Sequence, residues 1–242
     1  MLFWPRTCDF WKELITMTEI FGASTVNDNL AIDDIENERQ TLIGLLVDES
    51  GSMGGYQSVM SDCLQKFKQA LKDSKQEDEI LVSYTGFDDN IRSGGYQLID
   101  DLLVNYHVGG MTALYDAIVD AQVKLFDGNG NGYQEQLRAN GIKTKGVVAI
   151  FSDGQDNSSQ ASLKKARQAV QFLQSQEIVV AFIAFGDDAH GIAQDLGIDD
   201  QNILEVSASE SELRRVFAVL SKSAISASMS AATGASSNAF FV

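Results

Sequence analysis

Hydrophobic positions along the chain fall into two alternating patterns. Continuous apolar runs of strand length occur at 41–47 (TLIGLLV), 146–151 (GVVAIF) and 178–185 (IVVAFIAF), and further strand-like stretches at 80–87 (ILVSYTGF) and 202–206 (NILEV). Runs that do not alternate with polar residues suit strands buried on both faces, as in a parallel sheet. Residues 91–99, after the Asp88-Asp89-Asn90 turn, read as a shorter edge strand. Between the strands the period changes. Met60, Leu64, Phe67 and Leu71 share one face of a helix, as do Leu114, Ile118, Ala121 and Leu125, and Leu163, Ala166, Val170 and Leu173. A short helix is expected over 187–196, and Ser209 with Glu212 forms a capping box opening a helix to about residue 222.

Strands that alternate with helices predict a Rossmann-like, doubly wound α/β fold. The expected sheet is mainly parallel and six-stranded, with helices on both faces and one antiparallel edge strand. Ligands in such sheets bind beyond the carboxyl ends of the strands, where the strand order reverses. The places to search are therefore just after residues 47, 87, 151 and 185.

The 242 residues include one proline, Pro5, so no Pro-rich linker divides the chain. One domain is expected over 40–222, with an N-terminal extension over 1–39 and a Ser/Ala-rich tail over 223–242. Met17 offers a second candidate start, which would leave residues 1–16 outside the native chain. The tail sustains no helical face and is expected to be flexible, although its Phe240-Phe241-Val242 end leaves room for pairing with the domain or with a partner.

A formal net charge of −16 argues against a nucleic-acid binder, which needs Lys and Arg to displace counterions, and against docking on an anionic membrane. No run reaches the ~18 apolar residues of a membrane span, and Arg6, Asp9, Lys12 and Glu13 interrupt what a secretion signal would need as its apolar core. Cys8 and Cys63 are too few for a disulfide framework, and Cys63 falls on the apolar side of its helix beside Met60 and Phe67. These features together predict a cytoplasmic protein.

Chemistry concentrates at the predicted strand ends. After 41–47 comes Asp48-Glu49-Ser50-Gly51-Ser52, in which one carboxylate and two hydroxyls alternate and can face one point. After 146–151 comes Ser152-Asp153-Gly154, a second carboxylate, and before the helix at 114 stands Thr112, a further hydroxyl. Oxygen donors with few carboxylates and room for water suit a hard, octahedral cation, with Mg²⁺ expected and Mn²⁺ an alternative.

Asp48-x-Ser50-x-Ser52, Thr112 and Asp153, in this order and at these elements, resemble the metal-ion-dependent adhesion site of von Willebrand factor A and integrin I domains. The resemblance covers roughly residues 40–222. It implies that Ser50, Ser52 and Thr112 bind the metal directly, and that Asp48 and Asp153 bind it directly or through water. One coordination position would stay open for a Glu or Asp of a protein partner. Glu49 occupies a variable position of the motif. Domain size and the Ser-rich end are also similar to those of small bacterial and phage proteins of this type encoded beside stress-response genes, tellurite-resistance clusters among them.

Other motifs carry less. Asp127, Asn129 and Asn131 match the start of an EF-hand calcium loop, but the twelfth position is Arg138 where a bidentate Glu is required, so a surface loop without calcium is expected. Asp88, Asp89, Asp156 and Asn157 are read as loop polarity, with Asp156 and Asn157 alternatively rimming the site. His107 and His190 are the only histidines, and no nucleophile elbow surrounds Ser52. The expected function is a metal-bridged protein-interaction module and not an enzyme. The alternatives are a metal-assisted phosphatase or hydrolase, and an assembly subunit that polymerises through its termini.

Overall fold

The computed structural model describes residues 29–74, 80–186, 188–206 and 210–231. Cys8, most of the N-terminal extension, Ser209 of the expected capping box and the end of the tail lie outside the described residues.

Strand β1 (Arg39–Asp48) is buried from its second residue to its last. Its period of two sends Leu42 and Leu46 to one face of the sheet and Ile43, Leu45 and Val47 to the other, each into a separate hydrophobic layer. β1 pairs in parallel with β2 (Ile80–Phe87) on one side and with β5 (Lys143–Ser152) on the other. β6 (Ile178–Phe185) and β7 (Ile203–Val206) continue the parallel sheet beyond β5. Beyond β2 runs the antiparallel β3 (Ile91–Ser93), giving the order β3-β2-β1-β5-β6-β7. The single edge strand expected at 91–99 is in fact two, because Gly94 and Gly95 break the ladder before β4 (Gln97–Leu98), which also pairs antiparallel with β2.

Helices cover both faces. Helix α1 (Gln57–Lys72) packs Met60, Cys63, Leu64, Phe67 and Leu71 on one face of the sheet, and the face read from the sequence is fully buried. Helices α2 (Leu114–Leu125), α3 (Tyr133–Ala139), α4 (Leu163–Ser175) and α5 (Ala189–Asp195) cover the other. Helix α6 (Glu210–Ala231) returns to the α1 side, where Phe217 stacks on Phe151 of β5 with centroids 4.9 Å apart.

Two expectations change. The segment 127–138, read as a loop throughout, holds α3 in its second half, with Tyr133 and Leu137 buried. The last helix does not stop near residue 222 but continues to Ala231, because Ala224 is fully buried and Ile225 packs on the same layer. Among the described residues, no helix is long and apolar enough to cross a membrane.

β2 lies on one side of β1 and β5 on the other, so the strand order reverses at β1. The crevice beyond the carboxyl ends of β1 and β5 is the switch point of the sheet.

Candidate metal centre

Asp48 ends β1 at this crevice and is fully buried. One carboxylate oxygen, Oδ1, accepts from the Ser50 amide at 2.9 Å, so the chain turns sharply after the strand. Oδ2 accepts from the Ser152 hydroxyl at 2.6 Å. Register explains the second contact, since Val47 is level with Phe151 and the next residues on the two strands are Asp48 and Ser152. The turn brings the Ser50 and Ser52 hydroxyls within 3.0 Å of each other. Ser50 is buried and Ser52 exposed, so the pair reaches from the floor of the crevice to its mouth.

Burial raises the Asp48 carboxyl to about 6, against the opposing hydrogen bonds from Ser152 and Ser50, and the charge of Asp153 adds to the rise. Asp153 is therefore near enough to be felt. It is half-exposed, and its Oδ1 accepts from the Gln155 amide at 3.1 Å.

Thr112 is buried on the loop that leads into α2. Its amide donates to Asn157 Oδ1 at 2.8 Å, and its carbonyl accepts from the Asn157 and Ser158 amides at 3.0 Å. The same loop meets the Asp48 turn through the Gly51 amide on the Gly110 carbonyl at 3.1 Å. Backbone contacts thus join the Thr112 loop both to the loop of Ser50 and Ser52 and to the loop that follows Asp153.

The neighbouring acidic residues hold loops. Asp156 accepts from the Tyr115 amide at 3.2 Å in the first turn of α2 and from the Ser159 hydroxyl at 2.6 Å. Asp116 accepts from the Gln160 and Ala161 amides at 2.9 and 2.8 Å, fastening the same loop. Asp89 accepts from the Met111 amide at 3.0 Å. The Asp127 carboxylate faces the amides of Asn129, Asn131 and Gly132, while Arg138 lies on α3 with its guanidinium 5.4 Å from the Phe126 ring centre.

The sequence reading named Ser152 and Glu49 but gave neither of them its contacts beside the site. The contact of Ser152 could have been found from its place at the strand end, level with Asp48. Those of Glu49 could not. Glu49 is buried, its carboxylate accepts from Tyr84 Oη at 2.6 Å, and it pairs with Arg92 Nη2 at 2.5 Å. His107 Nδ1 lies 3.5 Å from the same carboxylate. Tyr106 Oη donates to the Asp48 carbonyl at 3.0 Å.

The available donors fit a hard divalent cation. All are oxygens, and among the described residues neither Asp48 nor Asp153 has an ion-pair partner. A buried carboxylate without a counter-charge is costly, and a bound cation would remove that cost. Among the described residues, no three His, Cys, Asp or Glu side chains converge as a metal-binding group.

No family model matches the sequence, and no curated protein matches it. Solved structures do match. The pilus adhesin SpaC from Lactobacillus rhamnosus GG superposes with a TM-score of 0.60 at 12% identity, over 78% of this chain and 30% of its own. Proximal thread matrix protein 1 from the mussel byssus, with its MIDAS motif occupied by zinc, gives 0.55 at 17% identity over 77% of this chain and 46% of its own. The vWF domain of the type V pili tip protein Mfa5 from Porphyromonas gingivalis gives 0.52 at 9% identity, over 81% of this chain and 96% of its own. This chain thus spans less than half the length of the first two proteins and nearly all of the third. Sheet order, helical layers and these superpositions agree that the chain has the von Willebrand factor A fold.

Proposed function

We propose that Asp48, Ser50, Ser52, Thr112 and Asp153 hold one divalent cation, Mg²⁺ or in its place Mn²⁺, and that the chain uses it to bind a protein partner through a partner Glu or Asp. The observation that carries this reading is the buried Asp48 carboxylate at the switch point, hydrogen-bonded into a Ser50–Ser52 turn and without a cationic partner among the described residues. The mussel thread protein of the same fold, with zinc in its MIDAS motif, supports a metal at this place. So do the adhesins among the structural neighbours, for a role in binding.

When bound, the cation supplies positive charge and an open coordination position that a carboxylate can fill. The chain's own residues do the rest. Ser50 and Ser52 present neutral oxygens, which leave much of that charge uncancelled. Asp48 is held by Ser50 and Ser152 so that it does not swing. The Thr112 loop is pinned by Asn157, which limits how far the hydroxyl can retreat.

A hydrolase would need a placed base. His190 lies instead against Glu205 at 2.7 Å, and His107 is turned to Glu49, which favours binding over catalysis. Two cysteines without a disulfide framework suit the cytoplasm.

The test is capture of a partner from the native host in Mg²⁺, in EDTA, and with Ser52→Ala. Binding in Mg²⁺ should fall at least tenfold in EDTA and in the variant, with circular dichroism unchanged. A partner held equally by Ser52→Ala in EDTA would show that another surface is used. Mg²⁺-dependent turnover of an aryl phosphate, lost in Asp48→Ala, would favour the hydrolase reading.

A further inference from the structure

We infer that Glu49 and Arg92 form a balanced charge pair that sets how tightly the Asp48 site holds its cation and how much positive charge remains for an incoming carboxylate. This rests on the metal reading above.

Glu49 stands between two of the proposed ligands, one trans peptide (about 3.8 Å between Cα atoms) from each. Its position is fixed from both sides. Its amide donates to the Phe87 carbonyl at 2.8 Å, and its carbonyl accepts from the Gly109 amide at 2.8 Å. Its side chain turns away from the crevice toward β2, over Gly86. A Cβ at Gly86 would lie 2.6 Å from the Glu49 carboxylate, so that space is kept for it.

Among the described residues, the carboxylate pairs with one permanent cation. Arg92 on β3 reaches it through Nη2 at 2.5 Å and Nε at 3.2 Å, and reaches Asp88 through Nη1 at 2.9 Å. Tyr84 adds a neutral hydrogen bond at 2.6 Å, and His107 contributes charge only when protonated. Arg92 is 37% exposed along its side chain and Glu49 only 1%, so the pair extends from the rim inward. Asp48, Glu49, Asp88, Asp89 and Asp153 all end or follow the parallel strands β1, β2 and β5 at their carboxyl ends. Arg92 is the one Arg or Lys among the described residues that forms an ion pair within this group.

The balance fixes the signs. Without Arg92, Glu49 and Asp88 add uncompensated negative charge close to the site. The cation is then held more tightly and is less attractive to an outside carboxylate. Without the Glu49 charge, Arg92 repels the cation. One unit charge about 10 Å from a divalent ion alters binding about threefold at low ionic strength, even at the dielectric of water.

The experiment is calorimetric titration with Mn²⁺ at low ionic strength on the full chain, with folding checked by circular dichroism. Acetate competition on the Mn²⁺-loaded proteins reads the open position. Arg92→Met should bind Mn²⁺ about threefold more tightly and acetate more weakly. Glu49→Gln should bind Mn²⁺ about threefold more weakly. The double variant and Arg92→Lys should stay near wild type. If Arg92→Met does not fold, Arg92→Gln makes the same charge change. A purely structural role would weaken Mn²⁺ binding in both single variants, so the opposite signs are diagnostic. A wild type that binds while both single variants weaken, or neither changes, overturns the inference and leaves the metal reading standing. A wild type that binds no Mn²⁺ overturns both.

Discussion

Asp48 concentrates the chemistry of the crevice in one carboxyl group. Burial lifts it from the ordinary 3.8 to about 6, so in the metal-free fold it keeps its proton in a window where the unfolded chain has lost it. Between roughly pH 4 and 6 the native state binds more protons than the unfolded state, so the Asp48 contribution to stability falls as pH rises. It is fully present below the lower value and gone above the upper. Two pKa units correspond to a contribution on the order of 3 kcal/mol. In EDTA, the stability of Asp48→Asn relative to wild type should therefore rise by about that amount between pH 4 and 7, read from urea midpoints. A difference that stays constant with pH would contradict the burial argument. The Asp48, Ser50 and Ser52 part of the candidate site could be read from the sequence because its spacing is local, with carboxylate and hydroxyls two residues apart directly after a strand. Glu49 was not legible, since Tyr84 and Arg92 stand 35 and 43 residues away and only the β1–β2–β3 register brings them to it.

At the scale of elements, long periodic segments were readable, and of the two seven-residue helices α5 was read and α3 was not. The core strands and helices α1, α2 and α4 carry enough apolar positions to declare their period. Helix α3 has only seven residues and follows a Gly/Asn run, so its two buried apolar anchors, Tyr133 and Leu137, gave no repeating signal. At its start Glu135 Oε2 accepts from the Gly132 amide at 3.1 Å, and Gly132 itself packs closely on the backbone that ends α2. A Cβ there would come within 2.4 Å of the Leu125 carbonyl oxygen and 2.6 Å of the Phe126 Cα, atoms that cannot step aside. Gly132→Ala should destabilise the fold by about 1–3 kcal/mol, the cost of overpacking, seen as a lower urea midpoint. A neutral substitution would mean that the α2–α3 connection is looser than described. The end of α6 was missed for another reason. Ser/Ala-rich sequence shows no strong apolar stripe, yet alanine favours helix and one or two buried contacts suffice to extend an existing one.

At the scale of the whole molecule, a strongly acidic chain would have to meet an acidic partner under the proposed function. At a net charge of −16, long-range repulsion should slow that encounter, and moderate salt should relieve it. In the proposed mechanism a bound cation would reverse the sign locally at the switch point and so make the contact favourable. The von Willebrand factor A fold provides the place, since the reversal of strand order at β1 opens a crevice at the ends of β1 and β5. Calorimetric titration of the EDTA-stripped protein with Mg²⁺ and Mn²⁺, beside Asp48→Ala, tests this most directly. One saturable site per wild-type chain and its loss in Asp48→Ala are expected, whereas equal binding by the two proteins, or no binding by the wild type, would contradict the proposed metal site.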